Sequence, residues 1–528
     1  MASPTPPGQL SPWSADVPSA SLAFMRSRTR TGILLTLSAA ACATVLSVPA
    51  QVAAADPGAG FLDWRPCAAK GSAPGAECAT LRVPLDYRKP SGPTVDIAVS
   101  RMRTERPEAR RGTLLLIAGG PGGSGVEAVA REGEKVRRAT QGAYDVVGID
   151  PRGVGGSTAA DCGIAEGDRQ MVGFRAWPRP DGDISEGVAR ARRVAEACAR
   201  NGGAIVRSLT TRNEARDIDS FRKALGERKL SAVGVSYGTY VGAVYAQMFP
   251  ERTDRWVLDS SVDPDPARVG RGWLAEMAPG AEESLPDFAR WATDPARGKD
   301  RIAGRPEDVR PVFLALAAEL DRKPRIFKDT GHRLTGNVLR QSLQLSLYDR
   351  DRYPRAAALV QAARSGGDGP LTVPDPFPEP LPQRDAAVFA GILCNDASWS
   401  RDVSSYERGV AADRARYPLT AGMPASITPC AFWKGEPAEK PTRVTSRGPS
   451  NILMVQNLRD PSTPHRGALK MRAALGDRAR LVSVDAGGHG VWLDTGNACS
   501  DRAVSRFLVT GQRPAGDTLC AAEDQRSR

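Results

Sequence analysis

Apolar and polar residues alternate in two segments near the start of the folded region, Leu81–Leu85 and Thr94–Arg101, as they do in antiparallel strands with one buried face. Further along, the pattern changes. Thr113-Leu114-Leu115-Leu116-Ile117 is a continuous apolar run ended by glycines, and Tyr144–Ile149 is another, closed by Asp150-Pro151-Arg152-Gly153. Such runs mark strands buried on both faces. Ser231–Val235 and Arg255–Leu258 read as further short strands. Between them lie helical stretches at 211–226, with Thr210 or Thr211 as N-cap, and at Thr239–Met248. The alternation breaks off after Asp263-Pro264-Asp265-Pro266. From there to about residue 448 the chain reads as mainly helical, for example at Val309–Leu320 and Ala386–Leu393, interrupted by a Pro-rich stretch, Val373–Pro382. Ile452–Gln456 and Leu481–Val484 restore strand character around a helix at 465–475. The economical reading is one α/β domain with a mostly parallel sheet, built from residues 56–263 and 449–528, and an inserted helical domain at 264–448. Such insertions sit at the carboxyl edge of the strands, where ligands bind.

The first 55 residues read as an address. Met25-Arg26-Ser27-Arg28-Thr29-Arg30 is a basic n-region, Gly32 to Val48 a small-residue apolar h-region, and Ala53-Ala54-Ala55 an A-x-A cleavage pattern. The 24 residues before Met25 are polar and rich in Pro and Ser, which makes Met25 the expected initiator. Ala40-Ala41-Cys42 resembles a lipidation box, but the apolar run continues through Val45-Leu46 and suits an h-region interior better. Past residue 55 no 18-residue apolar run occurs, so no membrane span is expected in the mature chain.

Secretion accounts for the cysteines. Nine is an odd count, and cleavage removes Cys42 to leave eight. Disulfides persist outside the cell. Pairing of sequence neighbours is the simplest of 105 connectivities: Cys67–Cys78, Cys162–Cys198, Cys394–Cys430 and Cys499–Cys520. No pair has the C-x-x-C spacing of zinc or redox sites, so neither a metal nor a cofactor is expected. The net charge of +12 loses three arginines and one aspartate with the leader, leaving +10. The basic residues alternate with acidic ones, as in Glu214-Ala215-Arg216-Asp217, and no basic run is interleaved with aromatics. That pattern argues against nucleic acid as a partner.

The chemistry begins at Gly234-Val235-Ser236-Tyr237-Gly238, which follows a predicted strand and precedes a predicted helix. A G-x-S-x-G turn in that setting holds a serine on a bend too tight for neighbouring side chains. A serine hydroxyl needs a base to take its proton. Of the three histidines, His332 lies within the insertion and His465 begins a helix, whereas His489 follows the last predicted strand in Gly487-Gly488-His489-Gly490. In this chain order the acid lies between serine and histidine, and Asp460 follows the strand at 452–456. Asp485 is too close to His489 along the chain, and Asp494 comes after it. Gly119-Gly120-Pro121-Gly122-Gly123-Ser124-Gly125 follows another strand and can aim backbone N–H groups into a site, so Gly120 and Tyr237 are the expected oxyanion donors. A rival reading exists: Gly120 to Gly125 also matches G-x-G-x-x-G, with Asp150 ending the next strand, as in a dinucleotide site. It leaves the serine elbow, Asp460 and His489 unexplained.

Gly119–Gly125, Asp150-Pro151-Arg152-Gly153 with Gly156-Ser157, Gly234–Gly238 running on to Tyr245-Ala246 and Phe249-Pro250, Val257-Leu258-Asp259, Asp460 with Thr463-Pro464, and Gly488-His489-Gly490 together resemble the secreted tripeptidyl aminopeptidases. These stand with the prolyl aminopeptidases in the α/β-hydrolase superfamily. The resemblance spans residues 61 to 520, the eight cysteines included. It implies an α/β-hydrolase fold with a mostly parallel eight-stranded sheet and a large helical cap. It implies a secreted serine exopeptidase that releases short peptides, often tripeptides, from free N-termini, with Ser236 as nucleophile, Asp460 as acid and His489 as base. Acidic cap residues would hold the substrate amine, and Glu282 and Glu283 are the candidates by position. The family usually carries Asn-Pro or His before its Gly-Gly-Pro-Gly run, where this chain has Ile117-Ala118. A carboxylesterase or lipase using the same triad is the alternative, and a catalytically silent binding protein is a third reading.

Overall fold

The computed structural model describes residues 62–68, 73–171, 176–327, 331, 333–364 and 381–523. The expected leader with Cys42, His332 and nearly all of the Pro-rich stretch 373–382 lie outside them. The strands in chain order are β1 (Arg65–Pro66), β2 (Glu77–Pro84), β3 (Thr94–Met102), β4 (Gly112–Ile117), β5 (Tyr144–Ile149), β6 (Leu230–Val235), β7 (Thr253–Asp259), β8 (Arg325–Ile326), β9 (Arg333–Leu334), β10 (Ile452–Arg459), β11 (Ala479–Gly487) and β12 (Thr518–Cys520). All but β8 and β9 join one sheet in the order β1-β2-β3-β5-β4-β6-β7-β10-β11-β12. From β5 onward the neighbours are parallel, whereas β1, β2 and β3 enter through antiparallel pairings. The sheet order reverses at β4, between β5 and β6, which opens a crevice at the carboxyl edge.

This is the α/β-hydrolase arrangement. The expected eight strands are β2 to β7, β10 and β11, and the structure adds one short strand at each edge. Strands of two and three residues carry too little alternation to be read from a sequence. Disulfides tie both additions down. Cys67–Cys78 fastens the chain after β1 to β2, and Cys499–Cys520 fastens β12 to the helix Ala498–Thr510. Cys162–Cys198 and Cys394–Cys430 complete the neighbour pairing read from the sequence.

The central strands are covered on both faces. Leu115 and Ile117 of β4, with Ile452 and Met454 of β10, enter one core, while Leu114, Leu116, Leu453 and Val455 enter the other. The helices Gly125–Ala139 and Ala498–Thr510 cover the second face, and Thr211–Ala224 and Tyr237–Met248 the first. Thr210 caps the helix at 211–224, its hydroxyl accepting from the Asn213 amide at 3.1 Å. Between β5 and that helix the structure adds Ser185–Asn201 and Gly203–Ser208, which the sequence pattern did not reveal. The buried side of the first is mostly alanine, with Val194 and Cys198, and its many arginines mask the period.

The insertion between β7 and β10 divides by its packing. Residues from Ala281 to Ala363, joined by Leu419, form a core of their own around Phe288, Phe313, Leu316 and Tyr353. The helix Gln383–Asp396 instead buries Val388, Phe389, Ile392 and Leu393 in the same core as the sheet.

Arg152, from the Asp150-Pro151-Arg152-Gly153 turn, is 2 % exposed and ties the loop after β5 to the helix at 211–224. Its guanidinium donates to both carboxylate oxygens of Asp217, at 2.6 and 2.8 Å, and to the Leu85 carbonyl at 3.0 Å. Tyr87 donates to the same carboxylate at 2.7 Å. Removing one partner of a buried ion pair strands the other charge. Asp217→Ala is therefore expected to lower unfolding free energy by about 3–5 kcal/mol, measured by urea denaturation, with the disulfides intact.

Candidate active site

Ser236 stands between β6 and the helix Tyr237–Met248 in a left-handed conformation, φ 59°. Such a φ is uncommon outside glycine, and it projects the residue from a sharp turn. The two flanking glycines are required by contact. A Cβ on Gly234 would come within 2.4 Å of the Gly238 carbonyl oxygen, and one on Gly238 within 2.3 Å of the Ile117 carbonyl oxygen. The elbow is braced from both sides, the Ser236 amide donating to the Asp259 carbonyl at 3.0 Å and Thr239 Oγ1 to the Ser236 carbonyl at 2.6 Å.

Asp460 follows β10 and has no exposure to solvent. Its carboxylate accepts from the Ser462 and Thr463 amides, both at 2.8 Å, from Thr463 Oγ1 at 2.9 Å and from Gln456 Nε2 at 3.3 Å. Its remaining partner is His489 Nδ1, 2.9 Å from Oδ2 and 3.1 Å from Oδ1. The His489 side chain is 12 % exposed. Burial works against the charged imidazolium, but the adjoining Asp460 carboxylate outweighs it and raises the His489 pKa above its ordinary value. The other acids are differently placed. Asp485 accepts from Arg459 at 2.6 Å. Asp494 lies against Gly490, where a Cβ would meet its Oδ2 at 2.4 Å, and burial raises its pKa to about 6. His465 bonds Ser483 at 2.8 Å, and burial lowers its pKa.

Ser236, Tyr237, Gly120 and His489 line one cavity of about 320 Å³. The insertion supplies its wall: Gly270, Trp273, Leu274 and Met277 from the segment entering the helix Arg271–Ala292, Tyr348, and Leu393. None of these residues is among the site candidates of the sequence. The spacing of 270, 273, 274 and 277 is itself a helical stripe and was the available signal. Tyr348 had none, since it sits in a connection between helices. Its ring meets His489 edge-on at 5.1 Å, its carbonyl accepts the His489 amide at 2.8 Å, and its hydroxyl donates to Ser462 Oγ at 2.9 Å.

The glycine loop runs from β4 past Ser236, and a Cβ on Gly119 would lie 3.0 Å from Ser236 Cβ. Gly120 and Gly122 have φ of +123° and +98°, open to glycine alone at little cost. Ser124 caps the helix that follows, and its hydroxyl donates to Asp150 at 2.5 Å. Asp150 is 2 % exposed and also accepts from the amides of Val126 and Gly156. It spends its carboxylate on joining two loops, which removes the ribose ligand that a dinucleotide site needs. The Tyr237 side chain runs back from the elbow. Its hydroxyl is 2.8 Å from Thr211 Oγ1 and donates to Glu214 at 3.1 Å, and burial pushes the Glu214 carboxyl up to about 8.

Glu282 and Glu283 do not line the cavity. Glu282 accepts from Arg310 at 3.0 Å and from the Leu419 amide at 3.2 Å, while Glu283 is paired with Arg466. Both sit in the helix Arg271–Ala292, whose polar residues bond within the insertion, to the helix His465–Leu475 and to Arg459 of β10.

Residues 417–520, which carry Asp460 and His489, match the family model described as TAP-like protein. Over 494 residues the chain is 32% identical to the tripeptidyl aminopeptidase of Streptomyces lividans, covering 89% of each. The chain belongs to the tripeptidyl aminopeptidase family. Serine protease Hip1 of Mycobacterium tuberculosis is 28% identical over 495 residues, 87% of this chain and 91% of that protein. Among solved structures, proline iminopeptidase of Mycobacterium smegmatis aligns at 14% identity with a TM-score of 0.37, over 81% of this chain and 97% of that one.

With Asp460 ionised beside it, His489 is expected to titrate above the ordinary imidazole value of about 6.5. NMR titration of the ring protons checks this. Asp460→Asn removes the negative charge and should bring the pKa down; an unchanged value would mean that the carboxylate is not its cause.

Proposed function

We propose that the protein is a serine aminopeptidase acting on peptides with free N-termini, and that it releases short peptides, tripeptides among them. The observation that carries this reading is that Ser236, Gly120, Tyr237 and His489, the last hydrogen-bonded to the buried Asp460, line one largely apolar cavity. Family membership supports the peptidase chemistry. In this mechanism Ser236 Oγ attacks the scissile carbonyl while His489 takes its proton. Asp460, hydrogen-bonded to Nδ1, fixes the tautomer that leaves Nε2 free as base and stabilises the imidazolium that forms. The Gly120 and Tyr237 amides receive the developing oxyanion. His489 then returns its proton to the leaving amine, and water releases the acyl group from Ser236.

Residues 264–448 serve as the cap. Its apolar residues wall the cavity and leave room for a short stretch of peptide. Residues 1–55 comprise an N-terminal extension and a secretory signal peptide cleaved after Ala55, and the four disulfides suit a protein that works outside the cell. Among the described residues no helix is long and apolar enough to cross a membrane.

A second reading, a carboxylesterase on the same triad, draws on a relative named carboxylesterase B, 27% identical over 470 residues. One assay separates the two. An aminopeptidase cleaves a free tripeptide anilide and loses it when the N-terminus is acetylated, whereas an esterase accepts both ends alike and prefers an ester. Ser236→Ala is expected to lower kcat by at least about 10⁴-fold without changing the thermal unfolding midpoint. Full activity in that variant would remove Ser236 from the mechanism. The rate should fall on the acid side through the raised His489 pKa, because only the neutral imidazole can accept the serine proton.

A further inference from the structure

The Val257-Leu258-Asp259 motif takes no part in the bond-breaking steps, yet Asp259 touches both halves of the machinery. It ends β7 with 1 % exposure. Its carbonyl accepts the Ser236 amide at 3.0 Å. Its carboxylate reaches the loop that carries His489, with Oδ2 accepting from the Trp492 amide at 2.8 Å and the Val491 amide at 3.2 Å. The next residue extends the grip. Ser260 Oγ donates to Asp259 Oδ1 at 3.0 Å and accepts from the Gly490 amide at 3.0 Å. Three successive amides directly after His489 are thereby held from β7. Ser260 does this in a left-handed backbone conformation, φ 59°, which a non-glycine residue keeps only when its surroundings hold it there. Its amide donates to the Val455 carbonyl of the neighbouring β10 at 3.0 Å. Asn457 completes the hold from β10, its Nδ2 donating to the Gly488 and Gly490 carbonyls, both at 3.0 Å.

We propose that Asp259 and Ser260 form a positioning clamp that sets His489 relative to Ser236, one residue fixing the serine amide through its carbonyl and the histidine loop through its carboxylate. The inference rests on the assignment of Ser236, Asp460 and His489 as the triad. The clamp is also an electrostatic neighbour. An ionised Asp259 favours the imidazolium of His489. Burial pushes the Asp259 carboxyl up to about 7, opposed by the Trp492 amide and reinforced by the charge of Asp494. The charged groups facing this loop are Asp460, Asp494, Asp501 of the helix Ala498–Thr510, which accepts from the Leu493 amide at 3.0 Å, and, through Asp494, Glu132 and Lys135 of the helix Gly125–Ala139 and Asp349 of the insertion.

The test compares Asp259→Ala, Asp259→Asn and Ser260→Ala with the parent in the full secreted chain. Readouts are the rate of Ser236 labelling by a fluorophosphonate, kcat and KM on a free tripeptide anilide, and the pH profile of kcat/KM. Asp259→Ala frees the histidine loop and should lower kcat and the labelling rate by about 10²-fold, the order expected for a displacement near 1 Å, with KM within about threefold. Asp259→Asn keeps the shape and an acceptor and should recover most of that loss. Its acid limb should move to lower pH, since a negative neighbour of His489 is gone. Ser260→Ala should cost about fivefold in kcat with the acid limb unmoved, because one of three amides is released. Asp259→Ala within twofold of the parent in kcat and labelling rate overturns the proposal. If that variant does not fold, Ser260→Ala decides, and an unchanged kcat there overturns it equally. A parent chain that is not labelled at Ser236 overturns the triad itself and the catalytic meaning of the clamp with it.

Discussion

A carboxylate with no access to water has to be met by donors that the fold holds in place, and Asp460 sets that condition for the site. Two amides, a hydroxyl and a side-chain amide surround it, and the imidazole is its remaining partner. Supplying the amides forces the tight turn Asp460-Pro461-Ser462-Thr463-Pro464 directly after β10. Supplying the imidazole forces the loop after the adjacent strand β11 to fold back over the sheet edge. Leaving any of these donors out would strand a buried charge, which is far more expensive than a missing surface contact. The parallel pairing of β6, β7, β10 and β11 brings their carboxyl ends to one edge, so the elbow, the carboxylate and the histidine loop meet there without long detours.

Much of this was legible in the chain because the central strands are buried on both faces. Continuous runs such as Thr113–Ile117 and Tyr144–Ile149 have few alternative uses in a folded domain, and they proved to be β4 and β5 within one residue at each end. The elbow was legible because close backbone contacts leave glycine as the only residue for positions 234 and 238. Asp460 and His489 were legible from chain order and from the small number of histidines. The neighbour pairing of the cysteines was legible as the simplest option once Cys42 was assigned to the leader.

What remained hidden depended on distance through space. Tyr348 lies 141 residues from His489 along the chain, and nothing in its local sequence announces that its carbonyl holds the His489 amide. Glu282 and Glu283 looked suited to an ammonium ion by position, but each arginine that neutralises them comes from another helix. The helix Ser185–Asn201 was hidden for a different reason: alanines on its inner face bury little area per residue and leave weak periodicity. The insertion read as one helical block because a helical pattern reports which face is apolar and not which core receives it. Only packing shows that Gln383–Asp396 belongs with the sheet while Ala281–Ala363 has a core of its own.

That division bears on how such a chain can diverge. Residues 281–364 contain no cysteine, so none of the four covalent crosslinks passes through them. Among the described residues, their apolar interior is shared with the sheet at no buried position. Yet the connection after their third long helix delivers Tyr348 to the pocket wall. Exchange of the Tyr348 side chain can therefore reshape what the pocket admits while its backbone carbonyl keeps its hold on the His489 amide. In evolutionary terms this unit is a cassette, the part of the sequence in which new substrate preferences can accumulate without re-solving the fold.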